Sequence, residues 1–173
     1  GEYPQDGLLY ASVVSSTVAC GRVLRIDSTR ALQVPGVVCV LDHNHRPRIS
    51  SYDDDYSDAD SAEGAPFRPL FNDRVLYSGQ PLALVVAESL ELARYAGSLI
   101  HIEYHTQPHQ TDLLAVLEQA YPAPAQTPEP RGDFAGQFAN APITVDATYT
   151  TPNEHHNPME PHASTVFLSL IHI

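Results

Sequence analysis

Lysine is absent from this sequence of 173 residues, and its nine basic residues, all arginine, face twenty-one aspartates and glutamates. A net charge of -12 repels phosphate backbones and anionic lipid headgroups rather than gathering counterions to release. Nucleic acid is therefore not an expected partner. No run approaches the ~20 consecutive apolar residues that cross a bilayer. The start, Gly1-Glu2-Tyr3-Pro4, has neither the basic nor the apolar region of a signal peptide, so no membrane or targeting segment is expected. Cysteine is scarce too: Cys20 and Cys39 each sit in an apolar, strand-like run without a Cys or His at ligand spacing. That pattern predicts buried thiols and does not fix the redox compartment. The exclusive use of arginine reads as a coding bias and carries no chemistry.

What is present suffices for a core. With 43% apolar and 17% charged residues and fifteen prolines, the chain reads as globular, one domain or a little more. Leu8 to Val14 is a candidate strand, followed by a second over Gly21 to Asp27. Asp27-Ser28 offers side-chain oxygens to cap a short helix over Thr29 to Leu32, which Pro35-Gly36 stops. The continuous apolar run Val37 to Leu41 predicts a strand covered on both faces. From about Asp42 to Asn72 periodicity is lost among Asp, Ser, Pro, Arg and Tyr, and a long solvated loop is expected. A calcium loop is not: the stretch from Asp53 has no glycine before Gly64 to make the required turn.

Order resumes at Val75-Leu76-Tyr77, turns at Ser78-Gly79, and enters a buried strand over Leu82 to Ala87. Ser89 caps a helix whose apolar face is Leu90, Ala93, Ala96, Gly97 and Ile100, and alternation over Ile100 to His105 marks another strand. Thr111 precedes a short helix over Asp112 to Leu117. Tyr121 to Arg131 holds four prolines in eleven residues and reads as a linker. Asp133 then caps a helix over Phe134 to Phe138, and Ile143, Val145, Ala147 and Tyr149 alternate as a half-buried strand. The fold class expected is α+β, a mixed sheet with short packed helices.

Three ordered pieces carry a resemblance: Val34-Pro35-Gly36-Val37, then Tyr77-Ser78-Gly79-Gln80-Pro81-Leu82-Ala83-Leu84-Val85-Val86-Ala87-Glu88, then Tyr149-Thr150-Thr151-Pro152 running to Asn157-Pro158-Met159-Glu160-Pro161-His162-Ala163. Together they resemble the molybdenum-binding large subunit of the xanthine dehydrogenase and aldehyde oxidoreductase family, entering at its a/b hammerhead domain. Arg131-Gly132-Asp133-Phe134 with Asp146 to Pro152 is most similar to the periplasmic aldehyde oxidoreductase branch.

The resemblance implies a division into an a/b hammerhead domain over 1–120, a Pro-rich linker over 121–132, and the truncated start of a molybdenum-binding domain over 133–167. Residues 168–173, Leu168-Ser169-Leu170-Ile171-His172-Ile173, can be encoded by a sequencing-transposon adapter and are expected to be a library artefact of an environmental read. The implied activity is hydroxylation of aldehydes or N-heterocycles with water as the oxygen source. The implied cofactor is molybdopterin, in its cytosine dinucleotide form, with [2Fe-2S] clusters and FAD on an iron-sulfur subunit and an FAD-binding subunit, or on further domains. In this family the catalytic glutamate and the glycine-rich pterin segments lie beyond the stretch present here, so no catalytic residue is carried over and the fragment is expected to be inert by itself. The compartment stays open between bacterial periplasm and cytoplasm.

Glu154-His155-His156 and Met159-Glu160-Pro161-His162 form the densest polar cluster, but Pro158 and Pro161 prevent the continuous helix that would align metal ligands. No protein-ligated metal is expected. The resemblance puts Glu160 and His162 on the wall of the cofactor or substrate region. The plainer use of a Pro-flanked Glu and His is to satisfy backbone donors in a tight turn. His101, Glu103 and His105 share a strand face by the two-residue repeat, opposite Ile100, Ile102 and Tyr104, and read with His43 and His45 as solvated. No serine lies in a Gly-x-Ser-x-Gly elbow, which leaves a hydrolase without a nucleophile. The alternative to an oxidoreductase fragment is a stand-alone acidic interaction module of hammerhead-like fold.

Overall fold

A computed structural model describes residues 6–49, 53, 68–121, 131–152, 154, 159 and 163–166. The chain divides into two units, Gly1–Thr127 and Pro128–Ile173.

The first unit carries β1 (Tyr10–Ser15), β2 (Gly21–Asp27), α1 (Thr29–Leu32), β3 (Val37–Asp42), β4 (Arg74–Val75), β5 (Pro81–Ala87), α2 (Leu90–Ser98) and β6 (His101–Thr106). The strands form two three-stranded sheets, ordered β1-β5-β3 and β4-β2-β6, with antiparallel pairing throughout. The α+β expectation holds. β5 is central because its Leu82, Ala83, Val85 and Ala87 are all buried and only a strand paired on both sides satisfies its backbone there. Ala83 and Val85 join Ala31, Val40 and Ala96 in one core, covered by α1 and α2. Leu82, one residue out of phase, joins Val23 and Val75 in a second core, with Ile26, Ile102 and Tyr104 packed against it. A fully buried valine such as Val75 or Val85 contributes about 2 kcal/mol.

Local chemistry sets the ends of these elements. The Ser89 side chain accepts from the Leu92 N–H at 3.2 Å and starts α2, whose Ala93 and Ala96 are fully buried. At α1 the cap is Asp27, whose carboxylate accepts from the Thr29 N–H at 3.0 Å, while Ser28 makes no side-chain capping bond. Gly21 opens β2 at φ +150°, and a Cβ there would collide with the His105 carbonyl of β6.

Several expectations need correction. β1 begins at Tyr10, and Leu9 before it is exposed. β3 is not covered on both faces: it is an edge strand paired only with β5, and Val38 is 53% exposed. Hydrophobicity alone does not separate a central strand from an edge strand. Cys20 and Cys39 are half-buried free thiols. The short helix expected from Asp112 is a 3₁₀ turn over Leu114–Gln119, opened by a hydrogen bond from the Leu114 N–H to Asp112 at 3.0 Å. Its Leu113, Leu114 and Leu117 are exposed, so no packing extends it into an α-helix.

In the second unit, α3 (Phe134–Asn140) starts at Asp133, whose carboxylate accepts from the Gly136 N–H at 2.9 Å, as the sequence predicts. The strand expected over Ile143 to Tyr149 does not form. Ile143 is 84% exposed and Tyr149 87%, and among the described residues no strand takes up its N–H and C=O groups. Residues 122–130 of the Pro-rich stretch lie outside the described residues.

Candidate functional site

His101, Glu103 and His105 do project from one exposed face of β6, while Ile102 and Tyr104 turn to the core. The ladder with β2 sets His101 opposite Asp27, Glu103 opposite Arg25 and His105 opposite Arg22. Glu103 and Arg25 thus face each other with opposite charge on an exposed face, which suits a solvated surface. Alternate residues on a strand are about 7 Å apart, too far for three side chains to converge on one ion. Asp27 is held below the usual carboxylate range, first by its side-chain and backbone hydrogen bonds with Thr29.

Of the stretch expected as a solvated loop, residues 50–52 and 54–67 lie outside the described residues, and the described part is tied together by side-chain hydrogen bonds. Asp42 belongs to β3 and is buried, and its carboxylate accepts from the backbone of Asn44 and His45 at 2.8 and 2.9 Å. It also meets the Nδ1 of the exposed His45 at 2.9 Å. Nothing among the described residues completes this pair into a nucleophilic triad. Arg46 points inward: its Nε donates to the Leu70 carbonyl at 2.8 Å and its guanidinium grips both Asp53 oxygens. Asp53 further accepts from the Ile49 N–H at 2.8 Å, and Arg68 stacks over the Phe71 ring at 3.3 Å from its centroid. The Arg46 and Ile49 hydrogen bonds lower the Asp53 carboxyl to about 2. Sequence reading missed these partners because they lie up to 24 residues apart and in no fixed spacing.

Gln80 was also not singled out, and it is nearly fully buried. Its amide accepts from the Leu76 N–H at 2.7 Å and donates to the Arg74 carbonyl at 2.6 Å, bracketing the turn between β4 and β5. Beside this turn lies an open depression of about 820 Å³ lined by residues including Thr17, Cys20, Ser78, Gln107 and His109. It holds no paired acid and base.

This depression does not fit a molybdopterin. That depression has no arginine to meet a phosphate, and among the described residues no group of three or more His, Cys, Asp or Glu is placed to hold a metal ion. Glu160 and His162 lie outside the described residues, as do His155 and His156; Glu154 and Met159 are exposed. No helix among the described residues is long and apolar enough to cross a membrane.

Comparison with known proteins gives the fold its context. Residues 2–108 match the family profile described as aldehyde oxidase and xanthine dehydrogenase, a/b hammerhead domain. The aldehyde oxidoreductase molybdenum-binding subunit PaoC of Escherichia coli O157:H7 is 35% identical over 156 residues, 90% of this chain and 20% of that protein. The 6-hydroxypseudooxynicotine dehydrogenase complex subunit gamma of Paenarthrobacter nicotinovorans is 31% identical over 180 residues, 96% of this chain and 22% of that protein. The chain thus spans about a fifth of the length of these relatives. Among solved structures, quinoline 2-oxidoreductase from Pseudomonas putida 86 superposes with a TM-score of 0.63 at 25% identity, over 83% of this chain and 19% of that one. With residues 2–108 matching its profile, the chain belongs to the aldehyde oxidase and xanthine dehydrogenase family, by way of its a/b hammerhead domain.

Proposed function

We propose that this chain is the hammerhead portion of a molybdenum hydroxylase subunit that oxidises aldehydes or N-heterocycles with water as the oxygen source, and that it is inert by itself. The observation that carries the reading is the 35% identity, over 90% of the chain, to a molybdenum-binding aldehyde oxidoreductase subunit. Residues 1–120 are the hammerhead, 121–132 the linker and 133–167 the start of a molybdenum-binding domain. The division of the chain between Thr127 and Pro128 favours this partition. In the complete assembly the cofactor is molybdopterin, as its cytosine dinucleotide, and electrons leave through [2Fe-2S] clusters and FAD on an iron-sulfur subunit and an FAD-binding subunit. The compartment is bacterial periplasm or cytoplasm. A stand-alone acidic module is set aside because the relatives' names assign them to oxidoreductases.

No step of the reaction is assigned to the described residues; their part is to scaffold the subunit. Glu160 and His162 are proposed to line the cofactor or substrate region, on the resemblance alone. Glu160→Gln in the complete enzyme tests this: lost turnover at unchanged stability supports it, and full turnover at lower stability makes the pair structural. The reading as a whole is tested by recovering the reading frame around this chain from its source DNA. Continuation past Phe167 into glycine-rich molybdenum-domain segments and a late glutamate is expected. Native codons for 168–173 followed by a stop would contradict both the fragment reading and the adapter origin of those six residues.

A further inference from the structure

We propose that Arg46 is a latch: its guanidinium, held between the Leu70 carbonyl and the Asp53 carboxylate, fixes the stretch after β3 to the stretch before β4, and it releases without unfolding either sheet. The donors divide in a way only a forked cation allows. Nε goes to Leu70 at 2.8 Å, one terminal nitrogen goes to both the Pro47 carbonyl and Asp53 at 3.1 Å, and the other meets the second Asp53 oxygen. The Arg46 and Asp53 side chains are only 15% and 12% exposed, which sets this pair apart from the exposed Arg22–Asp73 and Arg25–Asp27 pairs. Asp53 extends the knot, taking the Ile49 N–H on its carboxylate and, at 3.2 Å, Arg68 on its carbonyl.

Leu70, whose carbonyl Arg46 captures, sits at φ +55°, a region that strains a branched side chain and persists where its surroundings hold it. Arg46 also lines two cavities. One, of about 390 Å³, is lined by His43, Arg46, Arg48, Asp53 and Phe71. The other, of about 230 Å³, is lined by Arg46 and the apolar Leu41, Pro47, Ile49, Pro69 and Leu70. Neither Arg46, Asp53 nor Leu70 contributes to the two cores, so the sheets keep their packing when the latch opens.

Trypsin reads the latch directly on the 173-residue chain. There is no lysine, and Arg46 and Arg68 each precede proline, where trypsin does not cut, so Arg48–Ile49 is the one cleavable bond between β3 and β4. The exposed Arg131–Gly132 bond in the second unit serves as an internal clock. The native chain is expected to be cut at Arg131 and spared at Arg48. Arg46→Ala, and separately Asp53→Asn, are expected to speed cutting at Arg48 by about tenfold or more, with Arg25 and Arg30 still protected and the far-ultraviolet circular dichroism unchanged. Three results overturn the proposal: native cutting at Arg48 as fast as at Arg131; either variant cut at the native rate; or protection lost at Arg25 and Arg30 together with Arg48, which makes Arg46 part of the core.

Discussion

Gly21 and Asp53 show how single residues act here through backbone and charge. At Gly21 a side chain meets a backbone carbonyl that cannot move aside, because the β2–β6 ladder holds it. Gly21→Ala is expected to lower stability by about 2 kcal/mol or more, and Gly79→Ala, with positive φ but open space around it, by about 1 kcal/mol. Urea unfolding followed by circular dichroism measures both, and equal losses would contradict the steric account. Asp53 gives a pH dependence with a defined sign. Its carboxyl titrates at about 2 in the folded chain against an ordinary 3.8, so the unfolded chain takes up that proton first as pH falls. The contribution is complete above about pH 4 and is lost as pH drops through 2. A carbon-detected carboxyl titration is expected to put the Asp53 midpoint near 2, and a midpoint near 4 would break the link to Arg46. Neither residue's partner was legible in sequence: His105 is 84 positions from Gly21, and the charges around Asp53 suggested only solvation.

The elements divide by how local their causes are. β2, α1 and α2 were legible because alternation, a capping Asp or Ser and an apolar helical face all lie within a few residues of one another. Ser89→Ala is expected to cost about 1 kcal/mol by freeing the first turn of α2, read as a lower thermal midpoint. β3 and the Ile143–Tyr149 stretch were misread because burial and pairing depend on neighbours that periodicity does not reveal. The same holds for the bracket between β4 and β5. Gln80→Leu leaves the Leu76 N–H and the Arg74 carbonyl without their buried partner and is expected to cost about 2 kcal/mol, checked by urea unfolding. An unchanged midpoint would mean water replaces the amide at no cost.

For the whole molecule, the family and the α+β class were legible because the Tyr77 to Glu88 segment and its flanking pieces occur in order along the chain, and residues 2–108 carry the family match. The candidate site was not, since Glu160 and His162 lie outside the described residues and the depression beside Ser78 holds no paired acid and base. The central claim is that chemistry arises only when this stretch belongs to a complete molybdenum-binding subunit. Molybdenum content by mass spectrometry and aldehyde-dependent dye reduction, measured side by side on the 173-residue chain and on the complete polypeptide with its partner subunits, test it most directly. Metal and turnover are expected in the complete assembly and neither in the chain alone. Turnover by the chain alone, or a complete assembly without molybdenum, would contradict it.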